Sequence, residues 1–153
     1  YREALKIRRE LAEKSPDAYL PDLATSCNNL AGLLCDTGSS KEAEELYREA
    51  LKIRRELAEK SPDAYLPNLA IGCNNLANLL SDIGSFKEAE ELYQEALKIR
   101  WNLAEENPKV YLPKLQLVCD NLTALLEKTG RREEADSLRR EVAEFYQKQL
   151  AQQ

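Results

Sequence analysis

The sequence repeats itself with a period of 46 residues, and this period constrains the fold more than any other feature. Unit 1–46 returns at 47–92 with 39 of 46 positions identical, so only seven positions differ. It returns again at 93–138, where 24 of 46 positions match the middle copy. A self-similar period of roughly 20–50 residues is typical of solenoids, whose units bury their apolar faces only by stacking on one another.

The first half of each unit has the pattern of an amphipathic helix. Apolar residues of the first unit recur at spacings of four, three and four: Leu23, Cys27, Leu30 and Leu34. This spacing indicates one face of an α-helix. Proline suits a first helical turn because its missing N–H would have no partner there. The starts are therefore expected near Pro21, Pro67 and Pro113. Glycine suits the left-handed cap that ends many helices, and the expected ends are Gly38, Gly84 and Gly130.

A second helix is expected directly after each glycine. Ser39 and Glu42 match a capping box, in which each side chain accepts a hydrogen bond from the backbone N–H of the other residue. Ser85 and Glu88 repeat this pattern, whereas the third unit has arginine in place of serine. The sequence therefore predicts about seven helices in a single domain, 1–153. The expected ranges are 1–14 for a helix of a preceding repeat, and 21–60, 67–106 and 113–150 for three helix pairs. The first two connectors read Ser-Pro-Asp-Ala-Tyr-Leu, and the third reads Asn-Pro-Lys-Val-Tyr-Leu.

The unit resembles the tetratricopeptide repeat, in the lengthened form of kinesin light chains and many bacterial arrays. The resemblance is carried by Asn-Asn-Leu-Ala-Asn-Leu-Leu at 74–80 and by Phe-Lys-Glu-Ala-Glu-Glu-Leu-Tyr-Gln-Glu-Ala-Leu at 86–97. Thr123 and Arg139 depart from it, and this unit is longer than the usual repeat of about 34 residues. The resemblance implies an all-α, right-handed solenoid of helix-turn-helix repeats. Its concave wall, lined by the first helix of each unit, would hold ligand peptides.

The positions that match this wall are rich in asparagine and aspartate. The candidate peptide-binding residues are Asn28, Asn29, Asp36, Asn74, Asn75, Asn78, Asp82, Asp120 and Asn121. Asn29, Asn75 and Asn121 stand one per unit and form an asparagine ladder. Because an asparagine amide both donates and accepts, such a ladder can satisfy the N–H and C=O groups of an extended peptide. In the alternative interpretation these asparagines form contacts between helices or are solvated.

The charged wall positions leave two interpretations open. Asp36 and Asp82 could attract a lysine or arginine of a ligand, or they could be solvated helix ends. Only Lys128 is basic on this wall, so the basic clamp by which some relatives hold acidic chaperone tails is not expected. Trp101 replaces the arginine of the preceding copy and is expected to pack against the third unit.

Composition argues against catalysis and against a metal or cofactor. The chain has no histidine, no Cys-x-x-Cys and only isolated glycines, so histidine triads, zinc sites and phosphate loops are not expected. A net charge of −5 also disfavours nucleic acid and membrane surfaces as partners. Cys27, Cys73 and Cys119 recur once per unit and are predicted to be small buried residues. Reduced cysteines favour a cytoplasmic setting.

The sequence therefore predicts a protein- or peptide-binding scaffold module that is not an enzyme. The alternatives are a structural spacer, a scaffold that self-associates through open array ends, and a sensor module of a larger multidomain protein. Because the chain contains no methionine, we expect it to be either a piece of a longer one or a processed form.

Overall fold

The computed structural model describes residues 2–152, which form seven α-helices joined by short connections. The helices are α1 (Arg2–Lys14), α2 (Pro16–Asp36), α3 (Ser40–Lys60), α4 (Pro62–Asp82), α5 (Phe86–Glu106), α6 (Pro108–Lys128) and α7 (Arg132–Ala151). Each helix packs against the next in the chain, and one apolar core runs through all of them. The predicted all-α solenoid of helix-turn-helix repeats is confirmed.

The predicted starts at Pro21, Pro67 and Pro113 are wrong, because α2, α4 and α6 each begin five residues earlier. The first residue of α2 is Pro16, and Pro21 lies inside the helix. Pro16 suits the first turn for the same reason as expected for Pro21, because an N–H at that position would have no helical partner. Tyr19 and Leu20 pack against the core, which stabilises the added turn. Pro21 leaves the carbonyl of Asp17 without its helical partner, but Asp17 is exposed and water can replace it.

The connections alternate between one residue and three. Single residues, Ser15, Ser61 and Asn107, separate each second helix from the first helix of the next unit. Within a unit the connection turns at a glycine, as predicted. Gly38 has a φ of +84°, and the N–H of Ser39 bonds to the carbonyl of Leu34 at 2.8 Å, which completes a Schellman cap.

The predicted capping boxes do not form. Ser39 and Ser85 are N-cap residues, but neither side chain forms a capping hydrogen bond. Glu42 is bound instead by Arg2 of α1, and Glu88 is bound by Arg48 of α3 at 2.6 Å. A guanidinium forms a stronger, charge-assisted bond with a carboxylate than a neutral backbone N–H does. These glutamates therefore join neighbouring second helices instead of capping their own.

The three repeated cysteines are buried, as predicted, and each is 0% exposed. The Sγ of Cys27 donates to Glu49 at 3.0 Å, and that of Cys73 donates to Glu95 at 3.3 Å. Burial is the main reason why the pKa of Cys27 is raised to about 12. Cys27 and Cys73 therefore act as packing groups that also hold a partly buried carboxylate in place.

Arg8, Arg54 and Arg100 occupy equivalent positions in consecutive units, but their surroundings differ. Arg8 donates to Ser26, and Arg100 donates through Nη1 to the carbonyl of Lys114 at 3.0 Å. Arg54 is 7% exposed, and its Nη1 has no hydrogen-bond partner among residues 2–152. Gly72, the counterpart of Ser26, lies beside it. Burial lowers the pKa of Arg54 below its ordinary value, and it does the same for Arg100.

Candidate ligand-binding wall

Helices α2, α4 and α6 lie side by side, and we call their ligand-accessible surface the first-helix wall. Side-chain hydrogen bonds join α2 to α4 and α4 to α6. The nine residues predicted from the sequence all lie on these three helices: Asn28, Asn29 and Asp36 on α2; Asn74, Asn75, Asn78 and Asp82 on α4; and Asp120 and Asn121 on α6.

Two members of the asparagine ladder bind the preceding helix of the wall. Asn75 donates its Nδ2 to Oδ1 of Asn28 at 3.2 Å, and Asn121 donates its Nδ2 to Oδ1 of Asn74 at 3.0 Å. The interpretation of these asparagines as contacts between helices therefore holds. Each amide nitrogen carries two hydrogens and each amide oxygen two lone pairs, so Asn75 and Asn121 keep an N–H and the oxygen for a ligand.

Burial separates the members of these pairs. Asn74 is 6% exposed, so its predicted ligand-facing role is wrong, and it is a structural partner of Asn121. Asn28, Asn75 and Asn121 are half-buried, and Asn29 is exposed. The wall thus presents polar amides whose positions are fixed from behind by other amides.

A cleft of about 450 Å³ opens between α4 and α6 on this wall. It is lined by Asn78, Ser81, Asp82, Tyr93, Asn121, Ala124, Leu125 and Lys128. We call it the α4–α6 cleft. The hydroxyl of Tyr93, on α5, donates to Oδ1 of Asn78 and orients that amide. Burial, with a further contribution from Asp82, raises the pKa of Tyr93 to about 12, so the hydroxyl keeps its proton at neutral pH.

Two opposite charges line the α4–α6 cleft without pairing. Asp82 and Lys128 are both exposed, and neither takes part in an ion pair within residues 2–152. The Nζ of Lys128 lies 5.2 Å from the ring centroid of Phe86, a distance at which the ring attracts the ammonium. The aromatic ring therefore holds the lysine without neutralising it.

The cleft brings together only three of the predicted residues, Asn78, Asp82 and Asn121. Asp120 lies outside it and accepts a hydrogen bond from Gln116 at 2.9 Å on its own helix. Sequence reasoning missed Tyr93 and Phe86 as parts of the site, because both occupy positions that the repeat pattern assigns to packing. One sequence feature could have indicated the Tyr93 contact. The first unit has Gly32 where the second has Asn78, so only the second unit has a side chain there that can accept a hydrogen bond from Tyr93.

The second helices carry a different kind of link. Arg9 pairs with Glu49 at 2.7 Å, and Arg55 pairs with Glu95 at the same distance, each across one repeat. In the third unit, Trp101 replaces the arginine and stacks on Phe145 of α7, with ring centroids 4.4 Å apart. This contact confirms the predicted packing of Trp101. Charges on this side of the array are thus largely paired, in contrast to those of the α4–α6 cleft.

Comparisons with known proteins agree with the repeat architecture. The tetratricopeptide repeat family model matches residues 23–63 and 70–101. Among solved structures, the crystal structure of BtubC (BKLC) from P. vanneervenii is similar, with 29% identity and a TM-score of 0.67 over 96% of this chain. The match covers 54% of that protein, so this chain spans about half its length. A comparison with curated protein sequences gave no match.

These findings support a tetratricopeptide-repeat array. Repeats of this kind generally mediate protein–protein interactions, and their fold is generally a non-catalytic scaffold. No helix within residues 2–152 combines the length and the apolar character needed to cross a membrane.

Proposed function

We propose that the first-helix wall binds an extended segment of a partner protein. The α4–α6 cleft carries this proposal, because it combines oriented amides with unpaired charges in a cavity of about 450 Å³. An extended segment presents N–H and C=O groups at every residue, and the free groups of Asn78 and Asn121 can bind both. The module therefore acts as a scaffold that holds a partner and not as an enzyme.

A matched pair of variants tests this function. Asn121→Ala and Asn74→Ala each remove the same hydrogen bond between α4 and α6, but only Asn121 faces the cleft. Nine-residue peptides selected from a random displayed library would be titrated by fluorescence polarisation. Losing one hydrogen bond costs about 1 kcal/mol, so Asn121→Ala should weaken binding about fivefold. Asn74→Ala removes only the partner that orients Asn121 and should weaken binding less.

Two results would contradict the proposal. One is a library selection that yields no peptide binding to the intact chain. The other is an equal loss of affinity in both variants, which would assign the effect to the inter-helix hydrogen bond. Circular dichroism and urea unfolding of each variant show whether the array is still folded under the binding conditions.

Self-association is the second candidate function, and one observation favours it. Ile7 on α1 is 51% exposed, whereas its counterpart Ile53 is 7% exposed beneath neighbouring helices. A bare apolar face on α1 can be covered by another copy. Sedimentation equilibrium of the chain and of Ile7→Lys tests this, since a concentration-dependent dimer should disappear in the variant. A monomer at all concentrations would exclude it.

Two finer assignments also stay proposals. The 46-residue unit supports the kinesin-light-chain-like subtype of tetratricopeptide array. The four free cysteines favour a reducing, cytoplasmic setting, where thiols persist. Fluorescence microscopy of the protein in its own cells tests the second assignment.

A further inference from the structure

The charges of the first-helix wall change along the array. Helices α2 and α4 carry five acidic residues and no lysine or arginine: Asp17, Asp22, Asp36, Asp63 and Asp82. Helix α6 instead carries three lysines and two acidic residues: Lys109, Lys114, Lys128, Asp120 and Glu127. The sign of the net charge therefore reverses between α4 and α6, where the α4–α6 cleft lies.

Asp82 and Lys128 are counterparts in consecutive units, so they mark the two sides of this reversal. Both line the cleft and neither is neutralised within residues 2–152, although many other charges of the array are paired. Two charges kept apart in one polar cleft leave room for a ligand that bears the complementary charges. Asp36, one unit before Asp82, adds to the negative side.

The spacing of the helices sets the spacing of the ligand charges. Packed helices have axes about 8–10 Å apart. An extended chain advances about 3.3 Å per residue, so one repeat step corresponds to about three residues. We infer that the α4–α6 cleft selects an extended segment with a basic and an acidic residue about three positions apart, the basic one at Asp82 and the acidic one at Lys128.

This inference rests on the proposed function and adds a specificity to it. It identifies Asp82 and Lys128 as the residues that fix the direction of the bound segment, because exchanging their signs would require the opposite ligand order. Tyr93 and Phe86 support them from α5, by orienting Asn78 and by holding Lys128. The backbone of the ligand would be bound by the amides, and its sequence would be read by the charges.

A charge-spacing series of peptides tests the inference. Acetylated, amidated nine-residue peptides of glycine, serine and threonine would carry one arginine and one glutamate, at separations of one to six and in both orders. The intact chain should bind one order best at a separation of about three, by about fivefold over the reverse order, as expected for exposed charge pairs. Fluorescence polarisation at low salt gives the affinities.

Three variants make the test specific. The double exchange Asp82→Lys with Lys128→Asp should transfer the preference to the reverse order at the same separation. Lys128→Glu should remove the preference, whereas Lys52→Glu, at an exposed position on α3, should leave it intact. These positions are exposed, so the fold should tolerate all the changes.

The outcomes separate the inference from the proposed function. Peptides that bind equally at every separation and in both orders would overturn the charge register while leaving peptide capture intact. An unchanged order preference in the double exchange would overturn it as well. Absence of binding by the charge-spacing peptides and by the displayed library alike would overturn the proposed function itself.

Discussion

Arg54 is buried beside Gly72, and its Nη1 has no hydrogen-bond acceptor within residues 2–152. In the preceding unit the equivalent pair is Arg8 and Ser26, where the serine hydroxyl accepts the hydrogen bond. A Cβ added at Gly72 would lie 3.5 Å from Nη1, which is an ordinary van der Waals contact. The second unit therefore has room for the acceptor that it lacks.

Gly72→Ser is expected to stabilise the array by about 2 kcal/mol. A hydrogen bond to a charged group contributes about 1.5–3 kcal/mol, and replacing glycine inside a helix adds roughly 0.5 kcal/mol. Urea unfolding followed by circular dichroism measures the change. Gly72→Ala is the control, because it gains helix propensity without an acceptor. Alanine has the higher helix propensity by about 0.5 kcal/mol, so a Gly72→Ser variant that is less stable than Gly72→Ala would show that the hydroxyl does not reach Arg54.

Trp101 and Phe145 are expected to be coupled by about 1 kcal/mol, since tilted aromatic pairs contribute about 0.5–1.5 kcal/mol beyond their burial. A double-mutant cycle with Trp101→Leu and Phe145→Leu isolates this energy from the loss of apolar area. Additive effects on the free energy of unfolding would show that the stacking itself contributes nothing. Trp101 is the only tryptophan, so its emission in Phe145→Leu also reports the loss of the ring.

One of the four thiols is expected to react readily in the folded protein. Cys35 is half-buried, whereas the other three cysteines are fully buried. Its pKa lies above the ordinary 9.0, chiefly because of burial, so its reaction with a disulfide reagent should keep accelerating beyond pH 9. The expected count is one fast thiol in buffer and four in denaturant. In Cys35→Ser, which copies Ser81, a remaining fast thiol would contradict the burial of the others.

Arg48→Gln is expected to cost stability at pH 7 and little at pH 3. The hydrogen bond from Arg48 lowers the pKa of Glu88 below its ordinary 4.5. A carboxylate whose pKa is lowered by folding contributes stability that is fully present above its unfolded-state pKa and is lost as the pH falls through its folded-state pKa. Since the pair is exposed, the cost at pH 7 should be below about 1 kcal/mol.

Arg140 lies two 46-residue periods after Arg48, at the equivalent helical position, and supplies the control for this experiment. It is exposed and forms no ion pair within residues 2–152. Urea midpoints of Arg140→Gln should therefore match those of the unmodified chain at both pH values. An equal loss in both variants at pH 7 would point to helix propensity instead of the ion pair.

Most of the fold could be predicted because repetition reports the same physical requirement three times. The apolar spacing at Leu23 and Leu30 and the glycine at the end of each first helix depend on local geometry alone. The start of that helix could not be predicted as well, because Pro16 and Pro21 both satisfy the rule for a first turn. Packing of Tyr19 against the core decides between them, and that contact is tertiary.

The sequence predicted which helices carry the site residues, but it did not predict the hydrogen-bond partners of those residues. The wall residues lie on the expected helices, yet the sequence does not reveal that Asn74 is covered or that Asn121 is bound to it. The capping glutamates show the same limit. Glu42 has the right spacing from Ser39, but an arginine from the preceding repeat competes for it more strongly. Competition between local and distant partners is decided only in the folded array.

The single-residue connections at Ser15, Ser61 and Asn107 leave no slack between repeats. A helix turns by about 100° per residue, so a residue added to or removed from a helix beside such a joint would rotate every later repeat relative to the earlier ones. The amide and ion-pair links across repeats would then miss their partners. The period of 46 residues therefore fixes the rotation of each repeat about the helix axis as well as its length. This array can gain or lose whole repeats, but not single residues.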